Sequence, residues 1–195
     1  MLPEPLKVTI LITTILEKLE IPYLICGSIA STFYGNVRTT LDSDILVKMK
    51  GEQVDQFVTQ LSQQFYIDNE MVAGAFTRRS SFNIIHRETF FKVDIFFSNN
   101  NEFDENQFLR ANRIVLVNEP AIEAFVASPE DTVLAKLDWY RVGGEISERQ
   151  WQDVIGILKV QSDRLDYAYM EKWADKLGLH DLYQRIIGES STHPA

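Results

Sequence analysis

The sequence has a single cysteine, Cys26, so no disulfide can form within the chain. It also lacks an apolar run of the ~20 residues that a helix needs to cross a bilayer. The longest such run, residues 8–16, is followed at once by charged residues. No basic region precedes that run and no small-residue cleavage site follows it, so we expect no signal peptide. These absences predict a soluble cytoplasmic protein that does not associate with membranes.

Basic residues are also in short supply. The chain has 19 Lys and Arg against 28 Asp and Glu, a formal net charge of -9. A globally acidic surface repels nucleic-acid phosphates, so we expect no broad nonspecific binding to DNA or RNA. A small anionic ligand stays possible, because a bound metal reverses the local charge. The three histidines, His86, His180 and His193, are too scattered to indicate a zinc site or a catalytic triad.

The hydrophobic fraction of 45% is enough to form a core. Apolar periodicity predicts helices at residues 6–19, 29–34, 53–65 and 104–112, and strands at 23–26, 44–47, 82–85, 90–97 and 113–117. Ser128 is predicted to cap the first of four further helices, at 129–142, 147–160, 166–177 and 179–187. This order predicts an α+β class with a short mixed sheet flanked by helices, followed by a C-terminal helical subdomain. We place the boundary between residues 120 and 121, giving domains 1–120 and 121–195.

Three features of the first domain coincide in one pattern. Gly27 and Ser28 end a predicted strand and open a helix, which offers backbone N–H groups and a hydroxyl to a phosphate. Asp42 and Asp44 begin the next strand, whose period of two places both carboxylates on one face. Asp94 lies inside an otherwise apolar strand, and it joins the same cluster if that strand pairs beside the one that holds Asp44.

Clustered carboxylates repel one another, so a positive charge has to neutralise them. Mg²⁺, or Mn²⁺, is a natural partner because it binds carboxylates together with substrate phosphates. Paired metal ions of this kind support in-line phosphoryl or nucleotidyl transfer. The pattern therefore predicts a divalent-metal site that supports phosphoryl or nucleotidyl transfer.

This arrangement resembles the signature of the DNA polymerase β-like nucleotidyltransferase superfamily. The resemblance implies that Asp42 and Asp44 bind both metal ions. It implies that Asp94 completes one metal site and acts on the attacking hydroxyl. It also implies that the Gly27 and Ser28 turn contacts the triphosphate.

The stretch 34–40 is similar to small bacterial members, including the AbiE-type abortive-infection toxins. Lys136 and Arg141 match a Lys-x4-Arg element of these proteins, in which the lysine is expected to meet nucleotide phosphates. A later acidic position of that element aligns with Asp153, although residues 142–147 are inserted before it. The role of Asp153 is left open by this departure.

Arg38, just before the two acids, either binds a ligand phosphate or pairs with an acid. We assign it, with Gly27, Ser28, Lys136 and Arg141, to the nucleotide-binding group. The predicted reaction moves a nucleoside monophosphate from a triphosphate to a hydroxyl of a protein, a tRNA end or a small molecule such as an aminoglycoside.

Two alternatives stay open. The first is a catalytically silent nucleotidyltransferase-like binding module, such as an antitoxin or a regulator. The second is a scaffold in which the acids form salt bridges to Arg38 and Arg78.

Overall fold

The structure is a computed structural model that describes residues 2–192, so His193 lies outside the described residues. The chain forms two compact units. The first unit comprises the described residues up to Cys26 together with Thr40–Val126, and the second comprises Gly27–Thr39 together with the described residues from Ala127 onward. The sequence-based domain boundary between residues 120 and 121 stays a prediction.

The helices and strands of the described residues are numbered in chain order. The α-helices are α1 (Glu4–Lys18), α2 (Gly27–Tyr34), α3 (Gly51–Leu61), α4 (Asn69–Arg78), α5 (Glu102–Leu109), α6 (Pro129–Val142), α7 (Glu148–Gln161), α8 (Tyr167–Leu177) and α9 (His180–Thr192). The strands are β1 (Tyr23–Cys26), β2 (Asp42–Val47), β3 (Phe65–Tyr66), β4 (Ser81–His86), β5 (Lys92–Phe97), β6 (Asn112–Asn118) and β7 (Ala121–Val126). A short 3₁₀ helix, Ser162–Arg164, follows α7.

All seven strands form one sheet in the first unit, in the order β3-β4-β5-β2-β1-β7-β6. The β2–β5 and β1–β7 pairs are parallel and the other four are antiparallel. The predicted α+β class, with a mixed sheet flanked by helices and a helical C-terminal region, is confirmed. No helix of residues 2–192 is long and apolar enough to cross a membrane.

Helices α1 and α4 pack against one face of this sheet. The Thr9 hydroxyl of α1 donates a hydrogen bond to Ser43 Oγ of β2 at 3.0 Å. Phe76 of α4 meets Phe97 of β5 edge to face, with ring centroids 5.4 Å apart. Buried apolar side chains that line this face are Ile45, Val47, Phe82, Ile84, Val93 and Ile95. Because side chains alternate along a strand, the intervening residues of β2 and β5 lie on the opposite face.

In the second unit, α2 packs against α6 and α7, α6 against α8, and both α7 and α8 against α9. The chain that leaves α2 runs very close to α7. A Cβ at Gly35 would lie 2.9 Å from the backbone nitrogen of Ile157, and one at Gly156 would lie 3.0 Å from Asn36 Nδ2. Glycine at these two positions therefore permits the close approach.

The N-terminus of α6 is capped as predicted, since Ser128 Oγ accepts a hydrogen bond from the Asp131 amide at 3.1 Å. Its two acids are buried rather than solvated. Asp131 Oδ1 accepts from the Tyr169 hydroxyl at 2.7 Å, and Glu130 Oε1 accepts from the Asp166 amide at 3.0 Å. These bonds connect the start of α6 to α8.

Strand β1 and helix α6 have the predicted bounds. The predicted helix 53–65 was wrong at its end, because Phe65 is a fully buried residue of strand β3 that pairs with His86 of β4. Helix α4 and strand β7 were not predicted. Strand β7 is held between β1 and β6 by pairing partners distant in sequence, which a local pattern does not reveal.

Candidate functional site

The three predicted metal-binding aspartates lie on neighbouring strands of the first unit. In the parallel β2–β5 pair, Asp44 is opposite Asp94, and Asp42 is opposite Lys92. All four residues alternate with buried neighbours and are themselves half-buried. They therefore share the sheet face opposite to α1 and α4. We call Asp42, Asp44, Lys92 and Asp94 the acidic face.

Lys92 is the one basic residue of the acidic face, and its ammonium binds Asp94 Oδ2 at 2.7 Å. The Lys92 side chain is 45% exposed and that of Asp94 is 21% exposed. The hydrogen bond to Asp94 is the main reason that the pKa of Lys92 lies above its ordinary value. The charges of Asp42 and Asp44 act on that pKa in the same direction, against partial desolvation.

Two polar side chains support the aspartates. The Thr40 hydroxyl lies 3.0 Å from both the carbonyl oxygen and Oδ1 of Asp42, which fixes the orientation of that carboxylate. On the other side of β5, Asn83 of β4 is directly opposite Asp94 and is exposed. Its amide therefore adds a further oxygen and two N–H donors beside the acidic face.

Across residues 2–192, no group of three or more His, Cys, Asp or Glu side chains is arranged to hold a metal ion. On the acidic face, the carboxylate of Asp94 is bonded to the Lys92 ammonium. The donor set nevertheless fits a hard divalent cation, because it consists of carboxylate oxygens at adjacent pairing positions. The Lys92 ammonium supplies a positive charge at this place, and all three aspartates attract it.

The predicted phosphate-binding turn lies in the second unit, at the start of α2. Gly27 has a φ of +58°, a left-handed conformation that glycine adopts without strain, and it is the first residue of the helix. Ser28 follows in the first turn, and its Oγ accepts a hydrogen bond from Arg38 Nη2 at 2.6 Å. The turn therefore presents helix N-terminal amides together with a hydroxyl that is oriented by an arginine.

Arg38 and Lys136 share one carboxylate, that of Asp153 on α7. The Arg38 guanidinium donates from Nε and Nη2 to the two oxygens of Asp153, at 2.8 and 2.7 Å. The Lys136 ammonium donates to Asp153 Oδ2 at 2.8 Å. We call Ser28, Arg38, Lys136 and Asp153 the cationic cluster.

The cationic cluster is well shielded from solvent. The side chains of Lys136 and Asp153 are 8% and 9% exposed, and that of Arg38 is 22% exposed. Burial acts to raise the pKa of Asp153, but the hydrogen bonds and positive charges of Arg38 and Lys136 outweigh it and lower that pKa. Two cations and one carboxylate give these four residues a formal charge of +1.

Arg141, the second residue of the Lys-x4-Arg element, has a different partner. Its Nη2 lies 2.6 Å from Asp138 Oδ1, three residues earlier on α6, and its side chain is 46% exposed. Its assignment to nucleotide binding stays a prediction.

Lys92 and the partners of Asp153 were not identified from the sequence. The signal for Lys92 was its position two residues before Asp94, since period two places both on one face of a strand. For Asp153, the resemblance gave an acidic position with an open role but not its partners, because it lies 115 residues from Arg38.

Comparison with protein-family models finds no match, and comparison with curated proteins finds none either. Among solved structures, the chain is similar to an antigenic nucleotidyltransferase-like protein from Paracoccidioides brasiliensis, at 17% identity and a TM-score of 0.54, over 95% of this chain and 94% of that chain. It is also similar to the lincosamide antibiotic adenylyltransferase LnuA, solved with lincomycin bound, at 15% identity and a TM-score of 0.52, over 82% of this chain and 98% of that chain. At these identities the likeness shows the fold, and the chain accordingly has a nucleotidyltransferase-like fold.

Proposed function

We propose that this protein is a divalent-metal-dependent nucleotidyltransferase, which moves a nucleoside monophosphate from a nucleoside triphosphate to a hydroxyl. The observation that carries the proposal is the parallel register of β2 and β5. It sets Asp44 opposite Asp94, with Asp42 on the same half-buried face. A fold that merely needed polar residues here would gain nothing from three like charges at adjacent positions.

Asp42, Asp44 and Asp94 would hold Mg²⁺ or Mn²⁺ through their carboxylate oxygens. When bound, the metal supplies positive charge to the phosphates and lowers the pKa of an oxygen that it contacts. The Thr40 hydroxyl keeps the Asp42 carboxylate in one orientation. Lys92 has to release Asp94 before that carboxylate can serve as a metal ligand.

In the proposed reaction the acceptor hydroxyl oxygen forms a bond to the α-phosphorus. The bond from this phosphorus to the oxygen that bridges to the β-phosphorus breaks, and pyrophosphate leaves. Asp94 takes the proton of the acceptor hydroxyl. The roles of the three aspartates follow the superfamily pattern that the sequence resembles.

The triphosphate is assigned to the cationic cluster of the second unit. The Arg38 guanidinium and the Lys136 ammonium are the groups proposed to contact phosphate, because each can donate charge-assisted hydrogen bonds to an anionic oxygen. The Ser28 hydroxyl and the amides that follow Gly27 add hydrogen-bond donors at the N-terminus of α2. Arg141 is proposed as a further phosphate contact.

The acceptor is a hydroxyl of a protein, a tRNA end or a small molecule. The resemblance to AbiE-type toxins adds a toxin–antitoxin-like system as one setting for this transfer. The likeness to a lincosamide adenylyltransferase adds lincomycin to aminoglycosides as small molecules to test.

The test is transfer of label from α-³²P-labelled triphosphates, with Mg²⁺ or Mn²⁺, to proteins, tRNA and antibiotics, together with release of pyrophosphate. Transfer by the wild type, lost in Asp44→Asn, supports the proposal. Absence of both label transfer and pyrophosphate release across these acceptors would contradict it.

Triphosphate binding is tested separately by calorimetry. Lys136→Met is expected to weaken binding about tenfold, since one charge-assisted contact to phosphate is removed. Lys159→Met removes an exposed lysine of α7 and serves as the matched control. Equal weakening in both variants would show that the effect is one of net charge.

A second candidate is a catalytically silent nucleotide-binding module, such as an antitoxin or a regulator. The bond between Lys92 and Asp94 favours it, because an ammonium already satisfies the carboxylate proposed to act on the acceptor. This candidate predicts triphosphate binding without pyrophosphate release at any metal concentration.

A further inference from the structure

Lys92, the basic residue of the acidic face, lies where its positive charge competes with the proposed metal ion. Lys92 is opposite Asp42 on the neighbouring strand and two residues from Asp94 on its own strand. Its ammonium reaches along β5 to Asp94 Oδ2 at 2.7 Å. Lys92 therefore shares the sheet face of the three aspartates, with one of them opposite it and another bonded to it.

The charges of the acidic face explain why the lysine is held there. Three carboxylates and one ammonium give a formal charge of -2, and without the ammonium it would be -3. Lys92 thus relieves part of the repulsion among the aspartates in the metal-free protein. A divalent cation that binds Asp94 meets an ammonium already bonded to the same carboxylate.

We propose that Lys92 is a resident counter-cation of the acidic face, which a divalent metal has to displace from Asp94. This inference rests on the proposed function, because it presumes that the aspartates bind metal. Displacement costs the bond between Lys92 and Asp94 and leaves a positive charge close to the incoming metal. Lys92 therefore weakens the binding of metal alone.

The same arrangement makes metal binding depend on the nucleotide. A triphosphate that is bound to the same metal ion brings negative charge with it, so the unfavourable contribution of Lys92 to metal binding is smaller when metal and triphosphate bind as one complex. Lys92 in this way favours the metal–nucleotide complex over free metal. It is a positioning residue, since it acts on binding through Asp94.

The experiment measures free Mn²⁺ by electron paramagnetic resonance during titration of the full-length protein. Lys92→Met and Lys92→Gln are expected to bind Mn²⁺ about tenfold tighter than the wild type, because both the competing bond and a nearby positive charge are gone. Lys92→Arg, which keeps the charge, is expected to bind like the wild type. Far-ultraviolet circular dichroism checks that each variant is folded.

Lys48→Met is the matched control. Lys48 follows the last residue of β2, its ammonium binds Glu105, and its side chain is 41% exposed, close to the 45% of Lys92. Removing its charge is expected to leave Mn²⁺ affinity unchanged. An equal gain in Mn²⁺ affinity in Lys48→Met would show that only the net charge of the protein matters, and it would overturn the inference.

The remaining outcomes separate the inference from the proposed function. If the wild type and the neutral Lys92 variants bind Mn²⁺ equally well, the inference fails and the metal site stands. If neither binds Mn²⁺, with or without a nonhydrolysable triphosphate, the proposed metal site fails as well. Repeating the titration with that triphosphate is expected to shrink the tenfold difference, and an undiminished difference would overturn the coupling to nucleotide.

Discussion

In the first unit, three aspartates share a sheet face with one lysine, whereas in the second unit one aspartate is shared by an arginine and a lysine. The acidic face is half-exposed and carries a formal charge of -2. The cationic cluster is nearly buried and carries a formal charge of +1. Aspartates therefore outnumber basic residues on the acidic face, and basic residues outnumber aspartates in the cationic cluster.

The effect of an aspartate on the fold depends on the charges of the side chains around it. Asp153 accepts charge-assisted hydrogen bonds from a half-buried arginine and a buried lysine, so its removal takes a carboxylate away from both cations. The aspartates of the acidic face repel one another, so replacing Asp44 by asparagine removes one repulsive charge and keeps the side-chain shape. We expect stability to depend on Asp153 and the proposed chemistry to depend on the acidic face.

The largest expected effect comes from Asp44→Asn. We expect nucleotidyl transfer to fall about 10³-fold, because a metal ligand and its charge are lost. The free energy of unfolding should change by less than about 1 kcal/mol, since the substitution removes one of three like charges. Label transfer and urea denaturation measure the two quantities, and a large loss of stability would contradict the contrast between the clusters.

Asp153→Asn, unlike Asp44→Asn, is expected to lower the stability of the fold strongly. We expect the free energy of unfolding to fall by about 3 kcal/mol at neutral pH, because the buried Lys136 and the half-buried Arg38 then lie beside a neutral amide. Asp163→Asn, in the short 3₁₀ helix and exposed, is the control that removes one acid from the same unit. A change as small as that of the control would show that the cationic cluster does not stabilise the fold.

The pH dependence sharpens this second prediction. The folded pKa of Asp153 lies below the ordinary value of 3.8, so its stabilising contribution is fully present above that pH and is lost as the pH falls through the folded pKa. The stability difference between wild type and Asp153→Asn should be constant from pH 7 to about 5 and should shrink below pH 3.8. A difference that grows on acidification would contradict the assigned shift.

The smallest expected effect concerns the orientation of Asp42. Thr40→Val keeps the side-chain shape but removes the hydroxyl that lies 3.0 Å from the Asp42 carboxylate. We expect activity to fall about fivefold, the size of one hydrogen bond of about 1 kcal/mol. Thr40→Ser retains the hydroxyl and should recover most of the activity; failure to do so would assign the loss to packing.

Much of the fold was predictable because its signals are local. Apolar periodicity located β1 and α6 with their observed bounds, and Ser128 marked the start of α6. Helix α4 and strand β7 were missed, and Phe65 of strand β3 was assigned to a helix. Strand β3 has only two residues, and its pairing with β4 outweighs the helical period of the preceding segment.

The candidate site divides in the same way. The sharing of one face by Asp42 and Asp44 follows from the period of a strand, whereas their proximity to Asp94 depends on which strand lies beside β2. The cationic cluster depends entirely on packing, because Asp153 lies on a different helix from Lys136 and far along the chain from Arg38.

The positions of the acidic residues, their alternation on a strand and the glycine that opens a helix all follow from the sequence, because these properties depend on near neighbours. The tertiary structure decided that β5 lies parallel to β2 with Asp94 opposite Asp44, that Lys92 occupies the acidic face, and that Asp153 is shared by two cations. Strand order and side-chain partners depend on contacts between distant segments, and those exist only once the sheet and the helices have packed.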